Sequence, residues 1–414
     1  MATENNNKNL NVPNLRFPEF SGEWDRIKVS DLLELYPTNS LSWEQLDYSG
    51  EGIFNLHYGL IHKGLPTQVD VSENNLPTIK DEYIPKKMSL CQNGDVAFAD
   101  ASEDTNDVAK CIEFANCEDR KIVCGLHTIH GRDSINKTIV GFKGYAFAAP
   151  AFRQQIRRLA QGTKIYSVSS NNFAECYIGI PSKAEQTKIA ELLYKLDKRI
   201  ATQIKIIEKL ESLIRGLITD VNSGRIAQCK SVYLRDLLTE QHEKNTNNYE
   251  VCSVSVSQGV INQIDYLGRS FAAKEVLHYN VVNCGDIVYT KSPTGEFPYG
   301  IVKRSDITKP VAVSPLYGVY RPINDYVGRY LHLYFKSPIN AKNYLHKLIQ
   351  KGAKNTINIT NQHFLDNKIL IPEKGWLENI VNFAAAIEMK IATENKVLQT
   401  LQQQKDYLLS KMFI

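Results

Sequence analysis

Two stretches of the chain carry apolar residues at alternating three- and four-residue spacing, which lines one face of a long helix. The first places Ile189, Leu193, Leu196, Ile200, Ile207, Leu210, Ile214 and Leu217 on that face, interrupted by Gln203. The second places Ala384, Ile387, Ile391, Leu398, Leu401, Leu408 and Met412 there, with Glu394 at the position matching Gln203 and Lys405 at the position matching Ile214. A helix of about 34 residues is roughly 50 Å long at 1.5 Å per residue, more than a single globular domain needs as cover. The spacing therefore predicts two spacer helices that bury their seams on each other as an antiparallel coiled coil, with Gln203 near Glu394.

Between these helices the apolar runs are short and alternate as strands do. Asp95–Ala99, Lys121–Thr128 and Cys176–Ile180 read as strands in the first half; Ile287–Thr290, Val311–Val313 and Lys368–Ile371 do so in the second. The fold class expected is α+β: two mixed-sheet domains with short helices, joined by the two long ones.

The halves are copies. Asp95 of the Asn93-Gly94-Asp95 segment recurs as Asp286 of Cys284-Gly285-Asp286, and Pro181 recurs as Pro372, both at an offset of 191 positions. The turn Gly162-Thr163-Lys164 recurs as Gly352-Ala353-Lys354. The openings Val29-Ser30-Asp31-Leu32-Leu33 and Leu234-Arg235-Asp236-Leu237-Leu238 also match, at a longer offset that implies extra loop residues in the first copy. A period of this length is a whole domain with its connector used twice. The expected organisation is a flexible N-terminus over 1–12, a first domain over 13–182, a spacer helix over 183–222, a second domain over 223–374 and a second spacer helix over 375–414.

At 414 residues, 43% hydrophobic and 23% charged, the chain has core material for more than one domain. Its 49 Lys and Arg against 45 Asp and Glu leave a net charge of only +4, so any nucleic-acid footprint must be local. Basic residues do gather ahead of each Gly-x-Lys turn: Arg153, Arg157 and Arg158 over Phe152–Gln161, and Lys342, His346, Lys347 and Lys351 over Ile339–Lys351. Small polar and aromatic groups follow the turns, suited to phosphate and base-edge contacts. The candidate DNA-binding residues are Arg157, Arg158, Lys164 and Tyr166 in the first copy. In the second they are Lys351, Lys354, Asn355 and Asn358, with Lys291, Lys303 and Arg304 from a further Gly/Pro-rich loop whose counterpart, Ser102–Asp107, is acidic.

Catalytic signatures are missing. Ser314-Pro315-Leu316-Tyr317 lacks the head residue and second proline of an adenine methyltransferase loop, and no GxxxxGK[ST] phosphate loop occurs. Asp286 and Lys291 suggest a nuclease pair, but Asp95 has no lysine after it until Lys110. Cys117, Cys124, His127 and His130 resemble a zinc set, yet they alternate like a strand and the equivalent stretch Ala312–Arg321 holds neither Cys nor His. No catalytic residue, metal or cofactor is expected, and the eight scattered cysteines read as reduced thiols, mostly buried. No apolar run spans a bilayer and Met1–Val12 has no apolar signal core, so a cytoplasmic chain without membrane contact is expected.

The opening Asn14-Leu15-Arg16-Phe17-Pro18 with Gly22-Glu23-Trp24, the Gly-Asp strands, the Gly-x-Lys turns and the helix entry Ile180-Pro181-Ser182-Lys183-Ala184-Glu185-Gln186 together resemble Type I restriction-modification specificity subunits over nearly the whole chain. The second helix entry, Pro372-Glu373-Lys374-Gly375-Trp376, departs from that pattern by lacking the Glu-Gln pair, which puts the docking of one partner in question. The resemblance implies a non-catalytic subunit whose two target-recognition domains each read one half of a split, asymmetric site in double-stranded DNA. It also implies partners: two methyltransferase subunits recruited by the helices, which methylate an adenine in each half-site, and restriction subunits that translocate and cut. On that reading Ile189, Leu193, Leu196, Ile200, Gln203, Ile207, Leu210, Ile387, Ile391, Glu394, Leu398, Leu401 and Leu408 form the coiled-coil and partner-binding set, and the helices act as a ruler between half-sites. A stand-alone DNA-modifying enzyme and a protein-binding adaptor are the alternatives.

Overall fold

The computed structural model describes residues 11–414 apart from 49, 74, 269–274 and 352–356; the side chains of 267, 350, 351, 357 and 358 are also outside the description. The chain divides into two compact units, Met1–Ile204 with Lys396–Ile414, and Lys205–Asn395. Both are α+β.

In the first unit, β1 (Asp25–Lys28) runs antiparallel to β13 (Tyr177–Ile180), so the start and end of the globular chain are clasped together. A five-stranded sheet has the order β2 (Glu34–Tyr36), β11 (Thr128–Arg132), β7 (Val96–Ala99), β9 (Lys110–Ala115), β5 (Gln68–Asp70). A four-stranded sheet has the order β10 (Lys121–Cys124), β4 (Ile53–Leu56), β6 (Thr78–Ile79), β3 (Leu46–Asp47). All four residues of β7 are buried, as a central strand covered on both faces requires.

Helices α3 (Lys143–Ala148) and α4 (Pro150–Leu159) cover the larger sheet through Phe147, Phe152 and Ile156, and Phe98, Phe147, Phe152 and Phe173 meet edge to face. Pro150 begins α4 where no intrahelical N–H is needed. The strand expected over Lys121–Thr128 is broken instead. Gly125 sits against Asn55, where a Cβ would fall 2.5 Å from Nδ2, and His127 adopts a left-handed φ of 54°, so β10 ends at Cys124 and β11 starts in the other sheet.

The second unit repeats the plan. Strand β14 (Cys229–Tyr233) pairs with β25 (Lys368–Pro372) as β1 does with β13. Its main sheet has the order β15 (Leu238–Glu240), β22 (Gly318–Pro322), β19 (Ile287–Thr290), β20 (Ile301–Arg304). Further pairs are β16 (Cys252–Ser255) with β17 (Gly259–Asn262), β18 (Asn280–Val282) with β21 (Val311–Val313), and β23 (Gln350–Lys351) with β24 (Ile357–Asn358). Helices α8 (Asp325–Lys336) and α9 (Pro338–His346) cover the sheet through Leu331, Phe335 and Tyr344. The second basic helix stops at His346, so the helix expected as far as Lys351 gives way to β23.

The recurring Gly-Asp has a structural reason in each unit. Asp95 accepts from the backbone N–H of Gln92 at 2.9 Å, from Arg132 Nε and Nη2 at 2.8 and 2.7 Å, and bonds His130 Nε2 at 2.8 Å. Asp286 accepts from the Asn283 N–H at 2.8 Å and from Arg321 at 3.1 and 3.4 Å. Each aspartate closes the turn before its strand and ties it to the arginine of the neighbouring strand, and each preceding glycine holds a positive φ, 81° at Gly94 and 91° at Gly285.

The two long helices are α6 (Lys183–Asn222) and α11 (Lys374–Lys411). Within the first unit Ile189 and Leu193 share a core with Leu409 and Met412, while Asp197 pairs with Lys405 at 2.6 Å, so the segments run antiparallel. Within the second, Ile214, Ile218 and Val221 share a core with Leu377, Val381, Ala384 and Ile387. Leu196, Ile200, Ile207, Leu210, Ile391, Leu398, Leu401 and Leu408 are all buried or half-buried, so the seam lies where the spacing places it. Gln203 is buried, and Glu394 takes an ion pair from Lys390 on its own helix. Lys405 stands on the seam because Asp197 and the ring of Tyr145 receive its ammonium.

The Glu185-Gln186 pair is turned inward. Arg16 forks onto Glu185 with two bonds of 2.7 Å, Trp24 Nε1 donates to the same carboxylate at 3.3 Å, and Gln186 bonds the Ile139 N–H and the carbonyls of Lys137 and Pro181. The pair thus fastens the N-terminal segment and the 137–139 loop to the start of α6. Leaving it out of the second helix alters a fastening within that unit; in the first unit it presents no carboxylate for a partner, Glu185 being 1% exposed.

Candidate nucleic-acid interface

In the first unit the interface candidates surround one small turn. Helix α4 ends at Leu159, and Gln161 and Ser167 exchange two backbone hydrogen bonds of 2.9 Å, closing residues 162–166 into a loop. Gly162 is required there: its φ is 142°, and a Cβ would fall 1.9 Å from the Ile165 carbonyl oxygen. Lys164 and Ile165 are exposed at the tip, Ile165 by 63%, and Tyr166 is half-buried. Strand β12 (Tyr166–Ser167) pairs with β8 (Ala101–Ser102), which fixes the turn beside the acidic loop.

Arg157 and Arg158 are exposed in the last turn of α4. Arg157 donates to Asn106 Oδ1 at 3.2 Å and Arg153 donates to the Asn106 carbonyl. The acidic loop therefore positions the basic helix.

A cleft of about 390 Å³ opens beside the turn, lined by Asp100, His127, Gln161, Ile165, Ser167 and Asn172 among others. His127 Nδ1 lies 3.1 Å from Asp100 Oδ1. Behind His127 stands an aromatic group that sequence reading missed. Tyr58 meets His127 edge-on at 5.3 Å and lies tilted at 4.7 Å from His57; Trp43 lies 4.3 Å from His57; Lys63 sits 5.4 Å above Trp43. Burial, followed by the charges of His127 and Lys63, lowers the His57 pKa, and its Nδ1 accepts the Gly59 N–H, so the ring is neutral. These residues come from segments far apart in sequence, and no motif joins them. His57 is buried, but Trp43 and His127 are exposed and Tyr58 is half-buried, and such rings beside a cation and hydrogen-bonding groups suit base stacking and base-edge contacts.

In the second unit Lys342 and Lys347 are exposed on and just after α9, and His346 Nδ1 bonds Tyr299 Oη at 3.1 Å. Tyr299 belongs to the loop between β19 and β20, whose first residues, Lys291, Ser292, Pro293 and Thr294, are exposed. Gly300 ends the loop where a Cβ would fall 2.0 Å from the Thr290 oxygen. Lys354 and Asn355 lie outside the described residues, as do the side chains of Lys351 and Asn358.

Lys303 and Arg304 are corrected by the structure: they are 4% and 6% exposed. Arg304 is held by Asp306 and Asp325, and its backbone N–H donates to His332 Nδ1 at 3.2 Å. Burial holds Lys303 down to about 8, and burial with the surrounding cations holds His332 at about 3, hence neutral. Both residues stand on a strand covered by α8, so neither faces solvent as a reader of DNA must.

Residues 23–212 match the family described as Type I restriction modification DNA specificity domain. The S subunit of a Type I restriction-modification system from M. genitalium has a similar fold, with a TM-score of 0.55 at 14% identity over 97% of this chain and 99% of that one. A chain from a structure on complex assembly and conformational transition of the type I R-M system gives 0.51 at 13% identity, over 93% of this chain and 96% of that one. No curated protein matches the sequence. The first domain and its spacer thus define a Type I DNA specificity domain. The family match covers 190 of the 414 residues, and the likeness to the two solved structures, at 14% and 13% identity, is one of fold.

Proposed function

We propose that each of the two units reads one half of a split, asymmetric DNA site, and that the long helices set the spacing and recruit two methyltransferase subunits and the restriction subunits. The chain itself performs no chemistry and works in the cytoplasm. The observation that carries this reading is a shared skeleton with different exposed loops. The clasping strand pair, the Gly-Asp turn tied to an arginine and the Pro-started basic helix recur. The loop after the Gly-Asp strand does not: it is acidic in one unit and Lys/Pro/Gly-rich in the other. A common frame with two surfaces suits two different half-sites.

Lys164 and the Arg158 guanidinium supply phosphate contacts, while Tyr166, His127 and the groups around them meet bases. The modest net charge fits a chain whose partners neutralise further phosphates. The test is methylation by the complex reconstituted with its methyltransferase subunits. Insertion of four residues between Ile189 and Leu217 lengthens the helix by about 6 Å and shifts the preferred half-site spacing. An unchanged spacing overturns the ruler, and partner binding without sequence-selective DNA binding favours a protein adaptor.

A further inference from the structure

Three buried side chains from separate segments of the first unit meet at one point. Cys91 precedes β7, Cys124 ends β10, and His130 lies within β11. One donor atom from each lies within 4.8 Å of the others. The two sulfurs are 3.6 Å apart. Thiolates bound at 2.3 Å to one tetrahedral ion stand about 3.8 Å apart.

His130 adds the second observation. The residue is wholly buried; Nε2 is bonded to Asp95 Oδ2, and Nδ1 is buried with no hydrogen-bond partner. Buried polar atoms without a partner are rare enough to need a cause. A metal-bound imidazole commonly turns its second nitrogen to a carboxylate, which fixes the ring and raises the basicity of the ligating nitrogen. Asp95 is placed for that, itself held by Arg132 and the Gln92 N–H.

The second unit acts as an internal comparison. His130 pairs with Ala97 across the strands, and at the corresponding place Val319 pairs with Val288. There Val319 joins a cluster containing Val282, Val288, Val311 and Val313. The skeleton accepts an apolar core at this point, whereas the first unit has a histidine and two thiols.

We propose that Cys91, Cys124 and His130 bind a thiophilic divalent ion of the zinc class. Two thiolates and a neutral imidazole cancel the charge of such an ion, as a site closed to solvent requires. Cys117 is also buried but lies outside this three-residue group. His127 stays outside the set, facing Asp100. The ion joins the end of β10 to the middle of β11, so it fixes the intervening turn that presents His127 to the cleft.

The test uses the full chain, stripped with a chelator and titrated with cobalt(II) or zinc. One equivalent is expected to bind, with thiolate-to-cobalt charge-transfer absorption and release of protons from the coordinating thiols. Cys91→Ser and Cys124→Ser abolish the absorption, while Cys284→Ser, at an exposed position in the other unit, retains it. Because a buried serine could unfold the unit, the unsubstituted chain gives a second reading: zinc slows alkylation of Cys91 and Cys124 by about tenfold or more relative to Cys284. Uptake below about a tenth of an equivalent, or a Cys91–Cys124 disulfide in the freshly purified chain, overturns the proposal.

Discussion

Replacing the duplicated aspartate by asparagine should harm the two units unequally. Asp95 and Asp286 are 1% exposed, and each closes a backbone turn. Their arginine partners differ: Arg132 is 19% exposed and makes two short bonds, whereas Arg321 is 50% exposed and its bonds are 3.1 and 3.4 Å. Asp95 also holds the buried His130.

Removing one member of a buried charged pair costs about 3–5 kcal/mol, and Arg132 can turn partly toward water, so Asp95→Asn should cost about 3 kcal/mol. The solvated Arg321 pair puts Asp286→Asn near 1 kcal/mol. For units of this size about 1 kcal/mol moves the midpoint by about 2–4 °C, giving a loss of roughly 6–12 °C in the first unit and roughly 2–4 °C in the second. Two units can melt separately, so the assay pairs calorimetry with amide hydrogen exchange read by unit. A pH series adds the sign. Burial alone would raise the Asp95 pKa, but the bonds from Arg132, His130 and the Gln92 N–H outweigh it and hold the carboxyl below its ordinary range. Its contribution is therefore present above about pH 4 and lost as pH falls through the lower folded value. Asp95→Asn should remove that acid dependence. Equal losses in the two units, or a larger loss for Asp286→Asn, would refute the reasoning.

Lys303→Met should stabilise the second unit by roughly 2 kcal/mol at pH 7, because burial lowers the folded lysine pKa to about 8. The advantage should fade as pH rises from about 8 to beyond about 10, where the unfolded lysine also loses its proton; a constant advantage in urea melts across that range counts against the assignment. Arg16→Ala should cost the first unit about 3 kcal/mol by leaving Glu185 unpaired, and Arg16→Lys should recover only part, since an ammonium cannot form the paired fork; denaturation reads both, and no loss contradicts the fastening. Lys164→Ala should weaken DNA binding alike for all sequences and lower the salt slope by about 1, measured by fluorescence anisotropy at several salt concentrations. A sequence-selective loss would make Lys164 a base reader.

What sequence reveals here depends on how far apart the cooperating residues lie. The helical seam is a local periodicity, and Ile189, Leu193, Ile207, Ile387 and Leu401 are buried where it places them. Strands Ile287–Thr290 and Val311–Val313 were equally legible because each is a short apolar run. The break at Gly125–His127 was not, since it depends on Asn55 crowding the glycine from another strand. Lys303 and Arg304 read as surface because nothing near them in sequence shows α8 packing over β20 or Asp325 reaching Arg304. The group of Trp43, His57, Tyr58 and His127 is assembled by the fold alone. Cys91 was missed for the same reason: it lies 33 positions from Cys124, and the two sheets bring them together.

The central claim, one frame carrying two independent readers, is tested most directly by mapping adenine methylation in cells that express the chain with its methyltransferase subunits, before and after exchanging the turn 162–167. The account predicts a split site in which only one half changes while the other half and the spacing persist. Change in both halves, or methylation at a continuous site, would contradict it.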